Sequence, residues 1–442
     1  MKDRKIIKDS MTIGLALFAM FFGAGSLIFP PYLGLESGTS WFLGFLCFII
    51  ADIGLAFVTI VAMVHGDGSV SGITGVVGKI PAHIINTAAI VCIGPFLAIP
   101  RTAATTYEMT VVPLLPDAGI LIVSIVFFGL TWLFTIRASK VIDILGNVLT
   151  PALFLCLVVL IGAGIIWPVG EIGAPAVENV VKEGVLNGYQ AMDVLAALGF
   201  AIMIIQVTKQ KGYTEPKAAT KVITLSCLLS GVVLFLVYCG LTYLGATVSS
   251  VYELAQVNQA SLIVEITEDI LGFKGVVILG IVVGLACLTT AIGLTSASAQ
   301  YFNGLTGGKW KYESVVTIII LFSLIVSNLG LSAIIRIATP VLSVVYPTVV
   351  TLICLSFFKK KIRNVNLYKG AAAVSFAISF LTVLSTYGIA VPVINELPFA
   401  EYGFNWLIPT VLGGCIGNCI KSRKRWIPHR PAPEMFGKRA VI

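Results

Sequence analysis

The sequence predicts an all-α membrane protein with twelve transmembrane helices. Of its 442 residues, 57% are apolar and only 11% are charged, whereas soluble proteins are about 45–50% apolar and about 25% charged. A soluble chain of this length would need more polar side chains to cover its surface, so the apolar residues are expected to face lipid. The same composition excludes intrinsic disorder and a collagen-like structure.

Twelve apolar stretches have the length that a helix needs to cross a bilayer, about 20 residues. Only the turn signal Asn328-Leu329-Gly330 separates the ninth stretch from the tenth. The first stretch follows basic residues, as in a signal peptide, but it is too long and more spans follow, so it is expected to be retained. The stretches cover approximately residues 11–33, 41–64, 83–112, 119–136, 144–167, 189–207, 222–247, 275–304, 315–331, 332–358, 367–388 and 404–420.

The basic residues predict the orientation of these helices. Lys and Arg number 29 against 21 Asp and Glu, a net charge of +8. The Lys and Arg outside the apolar stretches fall almost entirely in the two tails and in alternate loops, which by the positive-inside rule places both termini in the cytoplasm. The basic balance is therefore explained by topology, and no nucleic-acid partner is expected.

Histidines and cysteines offer no catalytic or metal-binding cluster. The nine cysteines all lie in apolar stretches without a CxxC pair, and the three histidines lie near predicted loops or ends. Disulfide, zinc and histidine acid–base chemistry are therefore not expected. A membrane-embedded enzyme would need a catalytic group at membrane depth, and the only acidic pair that could serve is Asp52 with Asp193.

Five charged residues lie inside the apolar stretches: Asp52, Arg101, Glu108, Asp193 and Arg336. Charges inside a membrane are costly, so they face a water-filled path or pair with one another. Arg101 and Glu108 share a helix face but are about 10 Å apart along it, so each needs a partner elsewhere. Asp52, Arg101, Glu108 and Asp193 are therefore candidates either for a gate or for structural ion pairs.

The first apolar stretch contains the signal of a broken helix. It carries Gly23-Ala24-Gly25 and, shortly after, Pro30-Pro31. Glycine lowers helix stability by about 1 kcal/mol. At such a break, the N–H groups that start the second half can bind a carboxylate, and the carbonyls that end the first half can bind a cation. The alternative is that the glycines only allow close helix packing.

A second glycine, Gly199, lies near the middle of the sixth stretch, five helices after the first break. Interruptions in the first helix of each half are typical of a secondary transporter built from two inverted repeats. The sequence therefore predicts repeats of five helices at 1–168 and 188–358. Helices 11 and 12 at 367–420 and a basic cytoplasmic tail at 421–442 follow.

Two runs carry a resemblance to a known family. They are FAMFFGAGSLIFPP (residues 18–31) and IGPFLAIPRTAATTYE (residues 93–108). On these runs the chain resembles the branched-chain amino acid:cation symporter family of bacteria, within the amino acid–polyamine–cation superfamily, over essentially its whole length. The resemblance implies a leucine-transporter-like fold and sodium-coupled uptake of leucine, isoleucine and valine through the inner membrane by alternating access. It implies no obligate protein partner.

The resemblance also implies a substrate site. The amides of Gly23-Ala24-Gly25 would hold the substrate carboxylate, with Ser26 where the pattern often has Asn. The carbonyl of Ala197 would accept from the amino group, and Phe200 would pack on the substrate side chain. The full implied set is Phe22, Gly23, Ala24, Gly25, Ser26, Ala197, Leu198, Gly199 and Phe200.

For sodium, the resemblance implies the carbonyls of Ala19, Phe22 and Ala286 and the hydroxyls of Thr289 and Thr290. From the residues alone, threonines in an apolar helix usually bond back to their own helix, and this alternative stays open. One sodium ion is predicted, and a second site is left open because it depends on the Asn that Ser26 replaces. The fifth stretch has no Lys or Arg. Proton-coupled relatives often carry a lysine there, so its absence favours sodium over protons.

The surroundings of the glycines predict the ligand. No charged residue lies within five positions of Gly23, Gly25 or Gly199, and Asp193 is the nearest exception. The ligand's charges would then be met mostly by backbone dipoles, which fits a small zwitterion with an aliphatic side chain. A proton-coupled transporter, a transporter for another amino acid or a nucleobase, and a channel are the alternatives.

Overall fold

The computed structural model of the protein describes residues 2–66, 68–136, 150–359, 361–362, 364–389 and 391–420. Within these residues the chain forms helices joined by short connections, and no β-strand occurs. The all-α class predicted from composition is therefore confirmed. The predicted basic tail at 421–442 lies outside the described residues.

The first apolar stretch forms two helices, as predicted. Helix α1 (Lys2–Phe21) ends at the break, and α2 (Ala24–Ser37) begins after it. Gly23 has an extended backbone at the start of α2, with φ −134° and ψ −155°. The break is therefore a real interruption of the helix and not only a place of close packing.

Two further stretches contain π-helical turns. Helices α3 (Trp41–Ile49) and α4 (Leu55–His65) are joined by the π turn Ile50–Gly54. After the short α5 (Val70–Thr74), helices α6 (Lys79–Val91) and α7 (Ala98–Thr106) are joined by the π turn Cys92–Phe96, and a third π turn, Tyr107–Val111, follows α7. Such turns often occur at functional sites. Asp52 lies on the first and Glu108 on the third.

Most of the remaining helices follow the predicted stretches. The helix Val180–Ala191 begins before the sixth stretch, and the short helix Pro392–Asn395 lies outside all of them. The helix Leu262–Leu305 begins before the eighth stretch and is divided at Gly272, whose φ is 65°. The helices are α8 (Ile120–Ile136), α9 (Thr150–Ile166), α10 (Val180–Ala191), α11 (Asp193–Gln210), α12 (Pro216–Thr247), α13 (Leu262–Leu305), α14 (Tyr312–Ser327), α15 (Leu331–Ser356), α16 (Val365–Thr386), α17 (Pro392–Asn395) and α18 (Leu407–Cys419).

Helix lengths agree with a membrane protein. Seven helical segments of the described residues are long and apolar enough to cross a bilayer, and four shorter apolar helices accompany them. Each of the twelve predicted stretches overlaps a helix, and the turn Asn328–Gly330 separates α14 from α15 as predicted. Twelve spans remain a prediction.

The second break lies at Met192, seven residues before the position predicted. Met192 has a left-handed backbone, with φ 70°, and separates α10 from α11. The prediction of a break at Gly199 is therefore wrong. Gly199 lies inside α11, where a Cβ would stand 2.9 Å from the Cβ of Ala297 on α13. This glycine serves the close approach of two helices.

Helix α12 lies along both halves of the first broken helix. Near one end, the Ser226 hydroxyl donates to the Ser10 carbonyl of α1 at 3.1 Å. Near the other end, a Cβ on Gly34 would overlap the Thr242 carbonyl, and a Cβ on Gly245 would overlap the Pro31 carbonyl. The 32 residues of α12 thus pack on the chain before and after the break.

The contact at Gly245 gives a test of this packing. Replacing Gly245 with Ala would place a methyl group against the Pro31 backbone, and overpacking of this kind costs about 1–3 kcal/mol. We expect a lower melting temperature of the detergent-solubilised protein. Gly162→Ala on α9 is the control, because no atom lies within 4 Å of its Cβ position. Equal melting temperatures for the two variants would contradict the packing.

Candidate functional site

The two helix breaks meet at one cavity inside the helix bundle. Its empty volume is about 390 Å³, including the part that opens to solvent. Its apolar wall comes from four parts of the chain: Met20 and Phe21 before the first break, Ile93 on the second π turn, Phe200 on α11 and Leu294 on α13. The cavity can therefore hold a small ligand with an apolar side chain.

Ser26 satisfies the backbone of the first break. Its hydroxyl accepts from the Gly23 N–H at 3.3 Å and donates to the Phe21 carbonyl at 3.2 Å. The Tyr238 hydroxyl of α12 lies 2.7 Å from the same oxygen and is left to donate to it. Ser26 therefore stabilises the break. The first-turn N–H groups of α2 have no partner within their own helix, and Ala24, Gly25 and Ser26, which carry them, line the cavity.

Arg101 satisfies backbone carbonyls at the second break. Its Nη1 donates to the Gln190 carbonyl at 2.6 Å and its Nη2 to the Ala191 carbonyl at 3.2 Å. The guanidinium also lies 5.4 Å from the ring centroid of Phe29 on α2. A cation is favourable where a helix exposes its last carbonyls. Arg101 thus binds the end of α10 and lies between the two breaks.

Asp52 and Asp193 lie beside this guanidinium. They are 0% and 7% exposed, and each interacts electrostatically with the other and with Arg101. Among the described residues, no N–H or hydroxyl group makes a hydrogen bond of normal geometry to either carboxylate oxygen of Asp52 or to the Oδ2 of Asp193. The two carboxyl groups lie within hydrogen-bonding reach of each other when one of them carries a proton. Two carboxylates face one guanidinium, so the cluster has an excess of negative charge when both are ionised.

Glu108 and Arg336 do not belong to this cluster. The Glu108 Oε1 accepts from the Leu331 N–H at 3.2 Å and so caps the start of α15. Arg336 is exposed on α15. The structure therefore brings Asp52 and Asp193 to Arg101 and gives Glu108 a contact elsewhere.

The predicted sodium ligands lie where α13 crosses the first break. The Thr289 hydroxyl donates to the Ala286 carbonyl at 2.8 Å and lies 3.5 Å from the Ala19 carbonyl of α1. The first of these is the bond within the helix that threonine commonly makes. The Thr290 hydroxyl is buried without a partner, and a Cβ on Gly23 would stand 2.7 Å from it. Phe22 stacks on Phe18 with ring centroids 5.4 Å apart.

The cavity takes in only part of the predicted substrate set. It is lined by Gly23, Ala24, Gly25, Ser26 and Phe200. Among the described residues, four others do not line it: Phe22, Ala197, Leu198 and Gly199. The last three miss the cavity because the second break lies earlier in the chain than predicted. Phe22 instead packs on Phe18.

Sequence reasoning missed the charged lining of the cavity. Arg101, Asp193 and Met192 line it, so one group of each sign faces the ligand space in addition to the backbone dipoles. Asp193 had a signal, since it is the charged residue nearest to Gly199. A left-handed Met192 has no signal, because this conformation normally favours glycine.

Comparisons with known proteins agree with this architecture. The profile of the family described as "Branched-chain amino acid transport protein" matches residues 6–424. The branched-chain amino acid permease BrnQ of Salmonella typhimurium is 34% identical over 414 residues, which cover 92% of this chain and 94% of that protein. The branched-chain amino acid transport system 3 carrier protein of Pseudomonas aeruginosa is 35% identical over 419 residues, with coverages of 91% and 94%.

Solved structures share the fold. Mhp1, a nucleobase-cation-symport-1 family transporter with bromovinylhydantoin bound, matches with a TM-score of 0.63 and 13% identity over 92% of this chain and 91% of that one. MhsT in complex with L-phenylalanine matches with a TM-score of 0.58 and 15% identity over 92% and 97%. These likenesses confirm the leucine-transporter-like fold. The chain belongs to the branched-chain amino acid transport protein family, and it is a transporter rather than an enzyme.

Proposed function

We propose that the protein is a symporter that couples the entry of sodium to the uptake of leucine, isoleucine and valine by alternating access. The observation that carries the proposal is the meeting of two broken helices at one cavity, beside a group of oxygens from α1 and α13. Such breaks at membrane depth are where secondary transporters bind substrate and coupling ion.

The cavity supports a branched-chain substrate. Its wall of Phe21, Ile93, Phe200 and Leu294 suits an aliphatic side chain, and the N–H groups at the start of α2 suit a carboxylate. The names of the relatives in Salmonella and Pseudomonas give branched-chain amino acids as their cargo. One methylene changes binding in an apolar pocket by only about 1–3 kcal/mol, so leucine, isoleucine and valine are expected to compete.

The group of oxygens supports sodium as the second cargo. The carbonyls of Ala19 and Ala286 and the hydroxyls of Thr289 and Thr290 lie at the junction of α1 and α13. Thr290 has an unused buried oxygen there, which is what a missing ligand would leave. A set of neutral oxygens without a carboxylate suits a monovalent hard cation better than calcium. The residues therefore fit the ion.

The position of these groups supports alternating access. A sodium ion that joins α1 to α13 would hold the first broken helix against the rest of the bundle and shape the cavity for substrate. Movement of α1 to α4 and of α10 to α12 would then open the cavity on the other side. The basic tail and loops favour an orientation with both termini in the cytoplasm, and the bacterial relatives favour a location in the inner membrane.

Uptake into proteoliposomes tests the function. We expect leucine to accumulate when an inward sodium gradient is imposed and to accumulate little when potassium replaces sodium. Isoleucine and valine should compete with the labelled leucine. Lysine should not, because the wall of Phe21, Ile93, Phe200 and Leu294 offers no partner for a charged side chain. Full uptake driven by a proton gradient alone would contradict sodium coupling, and flux that does not saturate with leucine would indicate a channel.

The two threonines test the sodium site. Thr289→Ala with Thr290→Ala removes two hydroxyls from the oxygen group, and a hydrogen-bonding contact to a charge is worth about 1.5–3 kcal/mol. We expect the sodium concentration for half-maximal leucine uptake to rise at least about tenfold.

Thr267→Ala is the matched control for this pair. Thr267 is also a buried threonine of α13, bonded within its helix to Ile263 at 2.6 Å, but it precedes the division at Gly272. Its substitution should leave the sodium dependence unchanged. An unchanged sodium dependence in the double variant would refute the site.

A further inference from the structure

Asp193 is the one acidic residue among the described residues that line the cavity. It is 7% exposed, and within the described residues no N–H or hydroxyl group makes a hydrogen bond of normal geometry to its Oδ2. The neighbouring carboxyl of Asp52 can donate to Asp193 only when it carries a proton. A buried carboxylate oxygen without a donor is costly. A donor supplied by the ligand would remove that cost, and the α-ammonium group of an amino acid is such a donor.

Arg101 restricts where an ammonium group can bind. The carbonyls that end α10 would otherwise be suitable acceptors, but the guanidinium already donates to both Gln190 and Ala191. An ammonium group at those carbonyls would also meet a like charge. The acceptor left on this side of the cavity is the carboxylate of Asp193, immediately after the break.

The acceptor lies at the correct place for a zwitterion. An amino acid carries both charges on one carbon, so their binding sites must be adjacent. A Cβ on Gly25 would stand 2.9 Å from Arg101 Nη2 and 3.2 Å from the Cα of Ala191. The N–H groups of α2 that suit the carboxylate therefore lie against the backbone that leads directly to Asp193.

Asp52 adds to the negative potential at this point. It lies on the π turn Ile50–Gly54, close enough to Asp193 for the two carboxyl groups to interact directly. When both carboxyl groups are ionised, Arg101 balances only one of them. A bound ammonium group would supply a second positive charge to the cluster.

We propose that the carboxylate of Asp193 binds the α-ammonium group of the transported amino acid and thereby restricts transport to α-amino acids. The inference rests on the proposed function, since it concerns the same cavity. It replaces the expected acceptor, the carbonyl of Ala197, which does not line that cavity.

The test compares two ligands of the same shape. In 2-hydroxy-4-methylpentanoate, a hydroxyl replaces the ammonium group of leucine. We expect the purified wild-type protein in sodium chloride to bind this hydroxy acid at least about 100-fold more weakly than labelled leucine, since sites built around a polar group reject analogues that lack it. In Asp193→Asn, leucine affinity should fall about 100-fold while affinity for the hydroxy acid stays the same. The variant would then no longer prefer leucine over the hydroxy acid.

A control variant separates the possible failures. A merely structural role of Asp193 would weaken both ligands equally, so a variant that keeps the preference for leucine would overturn the inference. Asp269→Asn is the control. Asp269 lies in the first part of α13, accepts a hydrogen bond from the Tyr252 hydroxyl and does not line the cavity. Its preference should equal that of the wild type.

Binding to the wild type alone still tests the inference if the Asn variant does not fold. Equal affinity for leucine and the hydroxy acid would overturn the role of Asp193 and leave the proposed function standing. Absence of any binding of leucine, isoleucine or valine would overturn the proposed function, and the ammonium site would fall with it.

Discussion

The arrangement depends on how backbone groups at two helix breaks are satisfied at membrane depth. A backbone N–H or carbonyl without a partner in such a place costs several kcal/mol, so irregular backbone survives there only beside groups that complete it. Arg101 completes the second break through two carbonyls, and Ser26 completes the first. Because Ser26 and Arg101 satisfy the backbone groups at the two breaks, neither segment has to form a continuous helix. The space between the breaks can therefore remain open as the cavity.

Much of the fold could be predicted because the bilayer imposes a simple rule on sequence. Apolar runs of the required length, interrupted by basic loops, indicated helices at each of the stretches, and Asn328–Gly330 indicated the turn between α14 and α15. The first break was predictable because Gly23 and Gly25 lower the cost of leaving the helix. The second was not, because Met192 adopts a left-handed conformation without glycine, with its side chain buried in the folded chain.

The candidate site also contains some residues that the sequence could predict and some contacts that it could not. Its first-break residues and Thr289 are local to motifs and could be carried over from a family resemblance. Arg101 and the carbonyls of Gln190 and Ala191 are about 90 positions apart, so their contact is a product of tertiary packing. Asp52 and Asp193 are also far apart in the sequence, and tertiary packing brings them together. Local sequence therefore indicated uncharged backbone as the ligand's surroundings, while the folded chain brings three buried charges to the same place.

The unbroken helix α12 has a mechanical consequence for the broken helix that it accompanies. It contacts α1 through Ser226 and α2 through Thr242 and Gly245, and Tyr238 between these points touches the break itself. At 1.5 Å per residue, its 32 residues span about 48 Å. A rigid rod of that length that tilts about its middle displaces its two ends in opposite directions. Space gained beside one face of the membrane is then lost beside the other in the same movement.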